Sequence, residues 1–198
     1  MISLFLWPIW GVLSLVYYGM VYILPMALAA LGTSSSSDNI WSVVLAVCSE
    51  IPSIVFGYFM VENSKFGRKN SLVYGFAGCS IACLFAGVLG SFVFWVSVAR
   101  GIINFAFTII YPYTAELYPT TIRTTGLGTA SAASKIGGML MPWITLSLFG
   151  IGPKVPFIGF CIFCALGAFC CYKLPYDTTN RELDAVELEL GELPKAKN

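Results

Sequence analysis

Six long apolar runs, joined by short polar links, dominate this 198-residue chain and leave it few ways to fold. Each holds about twenty residues with almost no charge, enough for a helix to cross roughly 30 Å of hydrocarbon. The helices are expected at residues 2–28, 40–61, 72–90, 92–115, 126–149 and 155–174. Composition agrees: 58% of residues are hydrophobic and only 11% charged, against about 25% charged in ordinary soluble domains. The expected fold class is an all-α membrane protein, a bundle of six transmembrane helices spanning residues 1–174. The first run, from Ile2, is too long and lacks the basic leader of a secretory signal, so none is expected.

The same composition removes several chemistries. The chain has no histidine, which excludes rhomboid-type serine proteases and di-iron membrane oxidases. Asp38, Asp177 and Asp184 all lie outside the apolar runs, so no intramembrane aspartyl pair can form. All seven cysteines fall inside the runs, which argues against a disulfide framework. Cys161 and Cys164 have CxxC spacing but no histidine or acid nearby, and read as helix packing rather than a metal site. With no nucleotide-binding motif, ATP coupling within this chain is not expected. The chain therefore reads as a non-enzyme with no cofactor, and nothing points to nucleic acid.

The basic residues set an orientation. With the N-terminus inside, the cytoplasmic segments hold Lys65, Arg68, Lys69, Arg123, Lys173, Arg181, Lys195 and Lys197, while Lys154 alone lies outside. That asymmetry follows the positive-inside rule and puts both termini in the cytoplasm. Residues 175–198 form a polar, acidic cytoplasmic tail.

Arg100 and Lys135 belong to neither side. Each falls within an apolar run, where a charge costs about 2.5–3.5 kcal/mol on insertion scales and marks a functional-site candidate. On the fourth helix Arg100, Asn104, Thr108 and Tyr111 share about 80° of arc at 3.6 residues per turn. On the fifth, Ser131, Ser134, Lys135, Gly138 and Pro142 cluster likewise, and on the first Trp10, Ser14, Tyr17 and Tyr18 form an aromatic face. Polar stripes on apolar helices must face protein or water, so three of them imply a shared cavity. The third helix carries instead a small-residue stripe, Gly78, Ala82, Ala86 and Gly90, suited to close helix packing. The third and sixth helices read as outer, lipid-facing elements.

Four strings in register carry a family resemblance. YTAELYPTTIRTTGLG (Tyr113 to Gly128) is similar to the signature after helix ten in the organic-cation and organic-anion carrier branch of the major facilitator superfamily. Phe66-Gly67-Arg68-Lys69 resembles the loop between helices eight and nine, and Glu50-Ile51-Pro52 the Glu-Leu-Pro of helix eight. LPYDTTNREL (Leu174 to Leu183) is similar to the string that closes helix twelve. The chain thus resembles helices seven to twelve, the C-terminal half, of such a carrier, including the synaptic-vesicle-type proteins. It departs from the pattern at Glu62 to Lys65, where an Asp-Arg pair is usual, and at Tyr176-Asp177.

The resemblance implies secondary transport of a small organic solute by alternating access, in the lipid bilayer of a plasma or vesicle membrane. It implies a missing N-terminal six-helix half, or a second copy acting as a homodimer. The position of Lys135, basic in anion carriers and acidic in many cation carriers, implies an anionic or zwitterionic substrate. The substrate-contact candidates are Lys135, Arg100, Asn104, Tyr111, Tyr17, Tyr18 and Trp10. Lys135 alternatively pairs with a carboxylate of the absent half, and Arg100 with Glu50. Glu50 is a candidate for proton coupling or for such a resting pair. Arg68, Lys69, Glu116 and Arg123 resemble the inner gate, a salt-bridge network remade during the cycle. A non-transporting scaffold or receptor on the same fold, docking through the acidic tail, is the alternative.

Overall fold

A computed structural model describes residues 2–30, 36–62, 67–88 and 92–174. The tail at 175–198, Lys65, Gly90 and residues 31–35 lie outside the described residues, as does all but the first residue of the string that resembles the end of helix twelve. Seven helical segments occur among the described residues: α1 (Ile2–Ala30), α2 (Ser36–Cys48), α3 (Glu50–Glu62), α4 (Arg68–Val88), α5 (Phe92–Leu117), α6 (Arg123–Phe149) and α7 (Val155–Lys173). The fold is all-helical, as expected, but the helix expected at 40–61 is not continuous. It is broken at Ser49 into α2 and α3, which together make one span, Ile40–Met60.

The cause is local. Pro52 has no N–H to offer the Cys48 carbonyl, so the helical ladder opens one turn before it. The Ser49 hydroxyl, 2.7 Å from the Ala46 carbonyl and 2.8 Å from the Ser97 carbonyl, ties the break to α5. Gly101 makes room for the bend: a Cβ there would stand 3.0 Å from the Ser49 carbonyl oxygen.

Five spans among the described residues are long and apolar enough to cross a membrane. α6, though 27 residues long, is rich in Gly, Ser and Thr and falls outside that apolar class. Its burial pattern explains the composition. α6 packs most extensively on α1, and α4 on α7 and α5. Along α1 the buried residues Leu6, Ile9, Leu13, Val16, Met20 and Ile23 recur every three or four positions, one continuous stripe turned into the bundle. Where α1 meets α6 the backbones themselves touch: a Cβ on Gly137 would lie 2.2 Å from the Gly11 carbonyl oxygen. Between two helices in lipid there is little hydrophobic driving force, so such close packing supplies the association.

α4 and α7, expected on the outside, use the same device, though α4 is far more buried than the Ile40–Met60 span. Phe76 of α4 lies over Gly167 of α7, and Phe160 of α7 over Gly19 of α1. Ala82 and Ala86 of the α4 stripe are buried, and Gly78 faces Ile102 of α5. The α4 helix starts at Gly67, whose φ of 69° suits glycine and whose carbonyl accepts from Ser71 N–H at 3.1 Å.

Adjacent glycines of α6 should therefore respond differently. Gly137→Ala forces α1 and α6 apart and should lower stability by about 1–3 kcal/mol. Gly138→Ala meets Tyr18 only at an ordinary 3.5 Å and should be nearly neutral. Thermal denaturation of the detergent-solubilised variants measures the contrast.

Candidate functional site

The bend at Ser49 carries Glu50 to the inner surface of the bundle. There the Arg100 Nε donates to Glu50 Oε1 at 2.6 Å, with the two side chains only 7% and 18% exposed. Tyr17 of α1 completes the arrangement. Its hydroxyl lies 3.3 Å from both Glu50 carboxylate oxygens, and its ring faces the Arg100 guanidinium at 6.0 Å. Asn104, one turn beyond Arg100, donates to the Ser53 hydroxyl at 3.1 Å and, at 3.4 Å, to the Glu50 carbonyl. One acid, one base, one phenol and one amide, drawn from three helices, thus form a single network. A pair of this kind is costly to desolvate, but removing one partner costs more because it strands the other charge.

An aromatic ladder runs on from this network. Tyr17 meets Tyr18 edge-on at 5.5 Å and Phe107 at 5.3 Å, and Phe107 lies 6.5 Å from Tyr111. Tyr111 meets Trp10 edge-on at 4.7 Å. Tyr18 and Tyr111 are exposed, whereas Trp10 is fully buried. The Trp10 indole N–H donates to the Thr114 hydroxyl at 3.0 Å, so this ring props Tyr111 from behind. Phe107 and Thr114 belong to the cluster without having been singled out in the sequence. Each lies one turn from Tyr111 on α5, and that spacing was the available signal.

Lys135 is exposed on α6 and has no ion-pair partner among the described residues. Gly138, one turn on, lies against the Tyr18 ring and near Ser14. The Ser14 hydroxyl is buried and has no hydrogen-bond partner. Pro142 supplies no N–H to the Gly138 carbonyl. The α1–α6 seam thus gathers a phenol ring and under-committed polar groups. Ser134 differs, since its hydroxyl is taken by the Ser131 carbonyl at 2.7 Å.

At the end of the bundle where α4 begins and α5 stops, Arg68 forms an ion pair with Glu116. Lys69 and Arg123 do not join it. The Lys69 ammonium sits 5.9 Å over the Tyr172 ring of α7. The Arg123 Nε is buried without a hydrogen-bond partner. The intervening turn is pinned by Tyr118, whose ring covers Gly126 so closely that a Cβ there would lie 2.6 Å from it. The Ile122 N–H reaches the Pro119 carbonyl at 3.1 Å, which reverses the chain between α5 and α6. The long signature string thus comprises the end of α5, a packed turn at 118–122 and the start of α6.

A multi-pass helical membrane protein with a polar network buried between its spans is the class that this fold and site define. The model of the Major Facilitator Superfamily matches residues 6–196, and the chain belongs to that family. It is 32% identical over 168 residues to a solute carrier family 22 member 15-like protein of Xenopus tropicalis, covering 80% of this chain and 32% of the relative. It is 31% identical over 157 residues to organic cation/carnitine transporter 7 of Arabidopsis thaliana, covering 76% and 30%. With the niacin transporter NiaP of Acinetobacter baylyi it shares 32% identity over 144 residues, covering 71% and 32%. The chain spans about a third of the length of these curated relatives.

The buried pair sets a stability test. Arg100→Met should cost about 3–5 kcal/mol by stranding Glu50, and Glu50→Gln with Arg100→Met should recover most of that loss. Thermal melts of the single and double variants decide it; equal instability of both would show that the charges are not coupled.

Proposed function

We propose that this chain is the carboxyl-terminal half of a secondary transporter that moves a small organic solute, anionic or zwitterionic by preference, by alternating access. The observation that carries the reading is the division of the two intramembrane cations. Arg100 is neutralised by Glu50, whereas Lys135 stands exposed on α6 with no acid against it among the described residues. An intramembrane cation without a partner acid is a ready contact for a carboxylate. One relative is named for organic cations and carnitine and another for niacin; carnitine and niacin each carry a carboxylate. Tyr18 and Tyr111 form the exposed wall of the site, with Tyr17 and Asn104 at its edge and Trp10 behind.

In this reading Glu50 and Arg100 hold α3 against α5, and Glu50 exchanges a proton only when Arg100 turns to the solute. The Arg68–Glu116 pair closes the cytoplasmic end, with Lys69 and Arg123 as the neighbours that exchange into it. Both termini are cytoplasmic. Substrate sites in this superfamily's architecture lie between two six-helix halves. The exposed residues Lys135, Tyr18 and Tyr111 are in this reading the ones that meet an N-terminal half or, in a homodimer, a second copy.

Uptake of labelled organic anions, zwitterions and cations into proteoliposomes tests this, with the chain alone and co-reconstituted with an N-terminal half from a relative. Lys135→Ala should reduce anion uptake at least tenfold, and Lys135→Arg should retain most of it. Unchanged anion uptake in Lys135→Ala, or transport of cations alone, would overturn the substrate assignment. Exchanging the gate charges, Arg68→Glu with Glu116→Arg, should restore uptake lost in either single reversal.

A further inference from the structure

The outer surface of α7 carries a stripe that the proposed transport site does not use. Ile162, Leu166 and Phe169 are 60%, 52% and 58% exposed, and with Lys173 they fall within about 60° of arc at 3.6 residues per turn. All four belong to a membrane span, so the apolar members meet lipid tails. From Ile162 to Lys173 the rise is about 16 Å at 1.5 Å per residue, roughly half of a 30 Å hydrocarbon core. The stripe thus runs through one leaflet and ends in a cation.

A second cation comes from α4. Phe76 of α4 covers Gly167 of α7, and the Ser80 hydroxyl donates to the Cys161 carbonyl at 2.9 Å. This antiparallel packing brings the first turn of α4 against the last turn of α7. There the Lys69 ammonium sits 5.9 Å over the Tyr172 ring, and the Lys173 ammonium 5.7 Å over the Phe169 ring. The two rings are three residues apart on α7 and hold both ammonium groups at one end of the stripe.

Neither lysine has an ion-pair partner among the described residues. Arg68, next to Lys69 in the chain, is neutralised by Glu116. Lys173 lies in the last turn of α7, where the carbonyl end of the helix favours a cation. Lys69 has no such help. It stands in the first turn of α4 with no acid there, where the helix dipole opposes a positive charge. A ring face attracts an ammonium group but does not neutralise it.

We infer that this surface binds an anionic diacyl phospholipid, its phosphate shared by Lys69 and Lys173 and one acyl chain laid along Phe169, Leu166 and Ile162. Charge complementarity selects the headgroup, since basic groups between spans at a membrane interface recruit anionic lipids. A zwitterionic headgroup brings its own ammonium group and gains less from two cations. A free phosphate ion would leave the apolar stripe unused.

Native mass spectrometry of the full chain, titrated with phosphatidylglycerol or phosphatidylcholine of matched acyl chains, tests the inference. The first phosphatidylglycerol should bind at least tenfold more tightly than the first phosphatidylcholine. Lys69→Gln and Lys173→Gln should each weaken phosphatidylglycerol binding about fivefold and leave phosphatidylcholine binding unchanged, whereas Lys69→Arg should keep the preference. Lys154→Gln, at the opposite end of α7, should alter neither lipid's binding. Millimolar inorganic phosphate should not displace the bound phosphatidylglycerol. Equal binding of the two lipids, the result expected if acids of the 175–198 tail occupied these lysines, would overturn the inference. So would an affinity unmoved in both glutamine variants, an equal loss in Lys154→Gln, or displacement by phosphate.

Discussion

The pairing of Glu50 with Arg100 is the interaction on which the inner surface of this bundle depends. Two charges inside a membrane protein are tolerable only when each neutralises the other and their remaining hydrogen-bonding capacity is met. Here Tyr17 reaches the carboxylate, Asn104 holds the adjacent backbone, and the Ser49 hydroxyl ties the bend to α5. The proline two residues beyond Glu50 and the glycine beside Arg100 make the approach possible, one by opening the helix and the other by removing a side chain. Backbone irregularity is tolerated at membrane depth where it is enclosed by protein, and at Ser49 the fold meets that condition.

Packing elsewhere rests on a different device. Glycines at Gly11 and Gly137 let α1 and α6 meet backbone to backbone, and those at Gly19 and Gly167 accept whole phenyl rings from neighbouring helices. This explains why α6 falls short of an apolar span while being as long as its neighbours. A helix that packs through small residues need not be greasy, because the surface it presents to α1 never meets lipid. It also leaves Lys135 on the opposite, exposed side of that seam, where a charge is excluded from the packing.

The site candidates were legible to unequal degrees. The polar stripe on α5 appeared from 3.6-residue spacing alone, and Arg100 and Asn104 do share one network. Spacing could not say which cation would be neutralised, because Glu50 and Arg100 are fifty positions apart and meet only through a helix bend. Trp10, Tyr17 and Tyr18 form one aromatic face in the sequence, yet their burial differs. Trp10 is closed off behind Tyr111, Tyr17 bonds to Glu50, and Tyr18 remains exposed. The basic and acidic residues of the presumed gate also separated, with Arg68 finding Glu116 while Lys69 turned to Tyr172. Neighbours in sequence at a helix start point about 100° apart, so they seldom share a partner.

By itself the sequence determined that this is a multi-pass helical membrane protein and to which family it belongs. Those properties follow from apolar run length and from ordered motifs, both of which are local. Only the tertiary structure decided that the second span is broken at Ser49 and that Arg100 is neutralised while Lys135 has no acid against it among the described residues. The physical reason is that charge neutralisation, burial and hydrogen-bond satisfaction are properties of what meets across helices, and residues far apart in the chain decide them.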